Sequence, residues 1–271
     1  MHFKYFFKMK YRIFFALLFV IFFQSTRAQI LNIEDPTLTL DSIKKHDFKF
    51  GLGCDFSFTF QHEKVYETNA LLESVYHYND KHQLLLNGQY FNTGTANEQL
   101  INGGFLHMRY TYGFGKKIAP QGFMQHQLDL GRGLVKRQLV GFNLRWQAIQ
   151  KDKISIQLAT GAFYENELWN YSGSPDEASG RKISEKLKSN NMLRTYFQLS
   201  KQTEISIVNY FQFEFQNPSN QFRLATNISF STALNDHFQL QFNFMSMFDT
   251  KPVVPIDKFY YTLSNGLGVG M

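Results

Sequence analysis

The chain has 271 residues, of which 44% are hydrophobic and 17% aromatic. Its formal charge is +6, but residues 1–28 carry five basic and no acidic side chains, so the remainder carries +1 and gives no argument for a nucleic-acid partner. No segment reaches the roughly 18 consecutive apolar residues of a spanning helix, which excludes a helical membrane protein, and the single cysteine excludes an internal disulfide.

Residues 1–28 have the pattern of a secretory signal peptide. Four basic residues precede the apolar stretch 13–23, and Thr26-Arg27-Ala28 places small residues where signal peptidase reads them. The stretch is shorter than the roughly 20 residues of a spanning helix, so we expect cleavage and export in a Gram-negative-type bacterium. Residues 29–47 show no alternation, which predicts a short periplasmic segment.

Residues 48–60 alternate strictly between apolar residues at even positions and polar residues or glycine at odd positions. This is the pattern of a strand with one apolar face, and about 9–11 tilted residues span a bilayer. Similar stretches fill residues 48–271. They lie at about 48–60, 66–78, 82–93, 104–115, 121–131, 136–149, 153–167, 187–199, 203–216, 221–234, 237–249 and 257–271. The pattern predicts an all-β fold, a closed antiparallel transmembrane β-barrel of about 12 strands.

The predicted connections alternate between short polar turns and mostly longer loops. The longer ones are 61–65, 92–103, 169–186, 217–220 and 250–256. Bacterial barrels place short turns in the periplasm and longer loops outside, so we expect this orientation in the outer membrane. The last strand is expected to contact the barrel-assembly machinery. The alternative, a soluble β-sandwich, would have shorter strands and a polar outward face.

The faces opposite the apolar ones would line the lumen. They carry both acidic and basic side chains, and Arg194 is one of the basic ones. The lumen-facing candidates are Lys49, Asp55, Arg109, Asp129, Arg145, Glu165, Glu214, Arg223 and Asp249. We expect Glu214 to pair with Arg223, and Arg145 with Glu165. Such pairing would hold the shape of the barrel, and a weakly selective aqueous path is the alternative.

A row of glycines marks the predicted seam between the first and last strands. The inward glycines are Gly51, Gly53, Gly266, Gly268 and Gly270. Glycine in a strand often marks the close approach of another group. We therefore expect a lumen aromatic such as Phe163, Tyr196 or Tyr210, or the N-terminal segment, to pack there.

Trp169 and Tyr171 precede the longest predicted loop, where a strand leaves the membrane. Trp and Tyr are common at membrane interfaces, so we expect both to act as interfacial anchors. The loop that follows, residues 173–181, is polar and long enough to fold over the mouth.

No motif predicts catalysis, a cofactor or a metal. None of the eight histidines is followed two residues later by serine, and neither Gly-x-Ser-x-Gly nor His-Glu-x-x-His occurs. We therefore expect no enzymatic activity, although a Ser/His site assembled from separate strands would escape this test.

Short patches in a fixed order carry a family resemblance. They are residues 125–129, 137–145, 156–165, 215–218, 222–224, 249–252 and 257–258. With this set the chain resembles the salt-induced outer-membrane proteins, a family defined by domain of unknown function 481. The resemblance covers roughly residues 48–271 and implies an outer-membrane barrel, with no substrate or catalytic residue. Met271 departs from the usual aromatic ending.

Three functions remain open on the sequence. The first is a narrow pore or a structural envelope component, linked through the resemblance to salt or osmotic response. The second is an outer-membrane lipid-modifying enzyme, and the third is an interaction protein that uses its loops or N-terminal segment. The expected partners are outer-membrane lipid, the assembly machinery, and small solutes or ions, with no nucleic acid.

Overall fold

The computed structural model describes residues 47–60, 64–79, 81–95, 99–170, 180–235 and 238–269. The predicted signal peptide and residues 29–46 lie outside these ranges, as do Tyr171 and most of the loop that follows it. Among the described residues, no helix is long and apolar enough to cross a membrane.

Twelve strands follow one another along the described chain. They are β1 (Asp47–Phe60), β2 (Lys64–Tyr78), β3 (His82–Thr95), β4 (Gln99–Tyr112), β5 (Ile118–Asp129), β6 (Leu134–Lys151), β7 (Ile154–Asn170), β8 (Arg181–Gln198), β9 (Thr203–Phe213), β10 (Phe222–Ala233), β11 (Phe238–Asp249) and β12 (Phe259–Val269). A 3₁₀ turn (Leu130–Arg132) links β5 to β6. All strands form one antiparallel sheet in chain order.

The predicted fold class, an all-β antiparallel barrel of twelve strands, is confirmed. Each strand is hydrogen-bonded to its neighbours in the chain, and within the described residues no such pairing joins β1 to β12. Closure through that seam therefore stays a prediction.

The largest boundary error lies at β8, which begins at Arg181, six residues before the predicted start. Charged side chains at Lys182, Glu185 and Lys186 interrupt the apolar alternation there, yet this segment pairs with β7 as far as Asn170. Tertiary pairing with a neighbouring strand therefore overrides the local pattern. The loop predicted at residues 92–103 is also shorter than expected, because β3 extends to Thr95 and β4 begins at Gln99.

The two ends of the barrel still differ. The connections 171–180, 214–221 and 250–258 lie at one end, which we call the long-loop end, together with the short connections 61–63, 96–98 and 130–133. The turns 79–81, 113–117, 152–153 and 199–202 lie at the other, the short-turn end.

The outward face is apolar on every strand. Exposed examples are Phe58 (73%), Phe142 (56%) and Leu267 (59%). Exposed aromatics also lie near the short-turn end of β2, β4 and β6: Tyr76, Tyr78, Tyr110, Tyr112 and Trp146. Such a face is the surface that a membrane barrel presents to lipid, with aromatic residues at the interface.

The inward face holds a packed apolar core at mid-height, between β5 and β12. Its buried residues are Leu139, Ala159, Phe163, Met192, Val208, Tyr210, Ala225 and Met247, with Phe123, Met245 and Tyr260 packed against them. The sequence analysis expected a polar and charged lining, with a lumen aromatic such as Phe163 or Tyr210 packed only against the glycine seam. The difference arises because several inward positions carry large apolar side chains, and these meet across the curled sheet.

Gly141 gives the aromatic rings of this core the room they need. A Cβ atom at Gly141 would lie 2.5 Å from Phe123 Cζ and 2.6 Å from Phe163 Cβ. Phe163 therefore packs over Gly141, on the opposite side of the barrel from the glycines where we expected it. The rings of Phe123 and Phe163 are 6.4 Å apart.

We expect Gly141→Ala to destabilise the refolded barrel by about 1–3 kcal/mol, because the methyl group would overpack this contact. Urea unfolding in detergent micelles would measure the change. The matched control is Gly122→Ala on β5, where an added Cβ meets nothing within 4 Å. Equal midpoints for the two variants would contradict the packing described.

Candidate functional site inside the barrel

The Glu165 carboxylate lies at the centre of a charge network at the long-loop end. Arg137 donates to Glu165 Oε1 from Nη2 (2.5 Å) and Nε (2.7 Å), and Arg223 Nη1 donates to the same oxygen (3.1 Å). Lys188 donates to the other oxygen. Glu165 is only 1% exposed, so a single buried carboxylate connects β6, β7, β8 and β10.

Two further carboxylates complete this charge network, which we define as Arg137, Glu165, Glu167, Lys188, Arg223 and Asp249. Arg223 Nη2 lies 2.9 Å from Asp249 Oδ2, and Arg137 Nε lies 3.2 Å from Glu167 Oε1. The network holds three cationic and three anionic side chains. Buried charges are tolerated when they are paired and hydrogen-bonded in this way.

The ion pairs predicted from the sequence are wrong. Glu214 pairs with Lys186 at 3.1 Å, and Arg223 binds Glu165 and Asp249. Arg145 lies opposite Ala159 in the register of β6 and β7, six residues from Glu165 along the strand. Reading single strands fixes which face a charge occupies but not its height in the barrel, and the pairs depend on height.

Trp169 belongs to this region rather than to the lipid interface. Its side chain faces inward and its Nε1 donates to Glu167 Oε2 at 3.0 Å. It packs with Leu134 and with Val254, which is 3% exposed, from the connection between β11 and β12. The prediction of an interfacial anchor is therefore wrong, and Trp146, which the sequence analysis did not single out, has an exposed outward position.

The connection 250–258 thus folds into the mouth at the long-loop end. Val253 and Ile256 pack on the same apolar cluster as Val254. The Arg132 guanidinium lies 4.1 Å from the ring centroid of Tyr260 on β12, and 3.7 Å from Asp129. These contacts tie the end of the barrel wall to the turn between β5 and β6.

A second charged group lies in the half nearer the short-turn end. Arg109, Arg145 and Arg194 face inward from β4, β6 and β8, and all three are buried. Arg109 is within electrostatic range of Arg145 and Arg194, and Arg145 is within electrostatic range of Arg194. Arg145 Nη2 donates to the carbonyl oxygens of Phe114 (2.5 Å) and Lys116 (3.1 Å). We call these three residues the arginine cluster.

A small cavity adjoins Arg109. Its volume is about 30 Å³, room for about two water molecules. Around it, His107 Nδ1 lies 3.2 Å from Gln125 Oε1. Gln212 donates to Asn190, which donates in turn to Asn143. The cavity is therefore lined by amide side chains, by the single guanidinium of Arg109, by aromatic rings and by the apolar Leu139 and Met192.

The remaining predicted lumen residues lie on β1, where Asp55 is exposed and Lys49 is half-buried. Few side chains lie on the inward face of the sheet beside these two residues. A Cβ on Gly266 would meet nothing within 4 Å, and one on Gly53 would meet only Leu71 at 3.7 Å. No described aromatic ring therefore covers these glycines, while Gly270 lies outside the described residues.

Within the described ranges, no group of three or more His, Cys, Asp or Glu residues is placed to hold a metal ion.

A sequence model for the family described as "Protein of unknown function, DUF481" matches residues 61–270. No curated protein matches the chain. Among solved structures, the chain is similar to one described as "NanC porin structure in rhombohedral crystal form", with 8% identity, coverage of 76% of this chain and 94% of that chain, and a TM-score of 0.47. A chain described under "Unveiling the Mechanism Behind the in-meso Crystallization of Membrane Proteins" has 9% identity, coverage of 81% and 84%, and a TM-score of 0.36. At these values neither likeness indicates what this chain binds.

We expect Glu165→Gln to destabilise the barrel by about 3–5 kcal/mol, because it would leave the buried cations Arg137, Lys188 and Arg223 without their shared carboxylate. Urea unfolding of the refolded protein in micelles would measure the change. Glu185→Gln is the matched control, since Glu185 is exposed on the neighbouring β8. A loss no larger than that of the control would show that the charge network does not stabilise the fold.

Proposed function

We propose that this chain, which belongs to the DUF481 family of proteins of unknown function, is an outer-membrane β-barrel with a narrow aqueous path. The path runs along the side formed by β12 and β1, where glycines such as Gly53 and Gly266 face inward. The rest of the lumen is filled and gives the barrel its rigidity.

The apolar outward face supports a membrane location. Exposed large hydrophobic residues occur on every strand from β1 to β12. Soluble monomers rarely expose contiguous apolar patches larger than a few hundred Å², and this face continues around the sheet. The predicted signal peptide supports export, and the loop lengths support an orientation with the long-loop end outside the cell.

The main support for a narrow path is that one side of the lumen is packed with side chains and the other side is not. Between β4 and β11 the interior is packed by the apolar core, the charge network and the arginine cluster. Beside β1 and β12, in contrast, inward residues such as Asp55, Ser264 and Gly266 are exposed. Small side chains on that side leave the space that water and ions need.

A wide diffusion pore is a poorer fit to this interior. Barrels of 16–18 strands leave open channels, whereas barrels of about 8 strands are filled by side chains. Twelve strands with one filled side lie between these cases. The link to salt or osmotic response rests on the family resemblance alone, and the proposal assigns no catalytic residue.

We expect the refolded protein to produce small, discrete conductance steps in a planar lipid bilayer. Gly266→Trp should reduce the step size, because its side chain would project into the open side of the lumen. The matched control is Leu263→Trp, three residues away on the outward face of β12, where the indole would contact lipid.

If correctly folded protein, as judged by heat-modifiable gel mobility, gave no conductance steps, the proposal of a pore would be wrong. A structural role in the envelope would then remain. Equal conductance in wild type and Gly266→Trp would overturn the path along the glycines.

A further inference from the structure

We propose that the short-turn end binds the headgroups of anionic phospholipids through a set of six exposed lysines. We call this set the lysine rim: Lys81, Lys116, Lys117, Lys151, Lys153 and Lys201. The inference rests on the proposed membrane location, but it needs no ion conduction, because a barrel that conducts nothing still has lipid around its ends.

The turns that carry the lysine rim are joined by backbone hydrogen bonds. Lys81 O accepts from Gly113 N at 2.5 Å, which joins the turn between β2 and β3 to the turn between β4 and β5. Lys117 O accepts from Gln147 N at 2.7 Å on β6, and β6 ends at Lys151 in the hairpin that leads to β7. The turn between β8 and β9 follows along the same edge of the sheet. The lysines are therefore presented along one continuous edge.

The lysine rim gives this end a net positive charge. Five short sequences join successive strands at this end: 79–81, 113–117, 151–153, 199–202 and 234–237. In them lysines outnumber acidic residues six to three. None of the six lysines forms a salt bridge with another described residue, whereas at the long-loop end Lys186 pairs with Glu214 and Arg223 with Asp249. The positive charge of the short-turn end therefore remains to act on an external anion.

Exposed aromatic residues place the lysine rim at the level of lipid headgroups. Lys81 follows Tyr78 by three residues, and Lys151 follows Trp146 by five. Tyr78 and Trp146 are 51% and 44% exposed. Tyr and Trp rings concentrate at membrane interfaces, and lysine side chains extend from apolar surface towards water. The ammonium groups are therefore expected at the depth of the lipid phosphates.

The surface beside the lysine rim identifies the class of partner. Ammonium groups donate charge-assisted hydrogen bonds to phosphate oxygens. The apolar outward face adjoins them, because Lys151 lies two residues beyond the exposed Ile149 on the same face of β6. The partner must offer a negative phosphate next to a hydrocarbon chain, which is the arrangement of an anionic phospholipid. A soluble acidic protein would match the charge but not the apolar surface.

Trp146 is a reporter for lipid at this end. Of the two tryptophans in the chain, Trp169 is buried inside the barrel and Trp146 has the outward position. The full-length protein is refolded into phosphatidylcholine vesicles that contain a fixed minor fraction of phosphatidylglycerol. Bromine, which quenches an adjacent indole, is carried either by the acyl chains of the phosphatidylglycerol or by an equal fraction of the phosphatidylcholine, so both vesicles have the same charge.

We expect stronger quenching of Trp146 when the bromine is on phosphatidylglycerol. The excess should fall at high sodium chloride concentration, because salt screens the attraction between exposed charges. Trp146→Phe should abolish the lipid-dependent quenching.

Lys117→Gln combined with Lys151→Gln should reduce the preference for phosphatidylglycerol by about fivefold or more, the scale of one lysine beside an anionic membrane surface. Lys117 precedes Ile118, which lies opposite Trp146 in the register of β5 and β6. The matched control is Lys251→Gln combined with Lys258→Gln. It removes two exposed lysines at the long-loop end and should leave the preference at Trp146 unchanged.

Equal quenching by the two brominated lipids would overturn the lipid site and favour a soluble acidic partner for the lysine rim. An excess that survives both high salt and the Lys117→Gln, Lys151→Gln variant would also overturn it, because the preference would then not come from these charges. Protein that fails to float with the vesicles would contradict the membrane location itself. Absence of conductance would contradict only the pore and would leave the quenching unaffected.

Discussion

The Glu165 carboxylate and its three cations are the interaction on which the interior depends. Arg137, Lys188 and Arg223 reach Glu165 from three different strands, so neighbouring and non-neighbouring parts of the wall are joined through one buried group. In a barrel whose outward face is apolar, folding brings polar residues together inside, and each buried charge needs a partner there. The charge network meets this requirement at the long-loop end, and the apolar core fills the middle.

These two kinds of packing divide the lumen unequally. Strands β4 to β11 contribute most of the large inward side chains, together with Tyr260 near the start of β12, whereas β1 and the rest of β12 contribute glycine and polar residues. The filled side makes the wall rigid, and the bare side leaves space beside the seam. The proposed narrow path on the bare side follows from this division.

The fold could be predicted because alternation and strand length are local properties of the sequence. The site could be predicted only in part. Inward positions were correct for Arg109, Arg145 and Glu165, but their partners depend on strand register, which no single strand contains. Trp169 was misplaced because the predicted strand ended at residue 167; extended through β7, the alternation that points Glu165 and Glu167 inward also points Trp169 inward. The patches that carry the family resemblance include Arg137, Glu165, Arg223 and Asp249, a clustering visible only in the folded chain.

Cysteine accessibility in lipid vesicles would test the account most directly. In a Cys54→Ser background, Ser264→Cys, Ser206→Cys and Leu263→Cys place one thiol on the bare inward side, in the filled interior and on the outward face. We predict that a charged, membrane-impermeant maleimide labels the first position rapidly and the other two slowly. Rapid labelling at Ser206→Cys would mean that the lumen is open, and rapid labelling at Leu263→Cys would mean that the apolar face does not contact lipid.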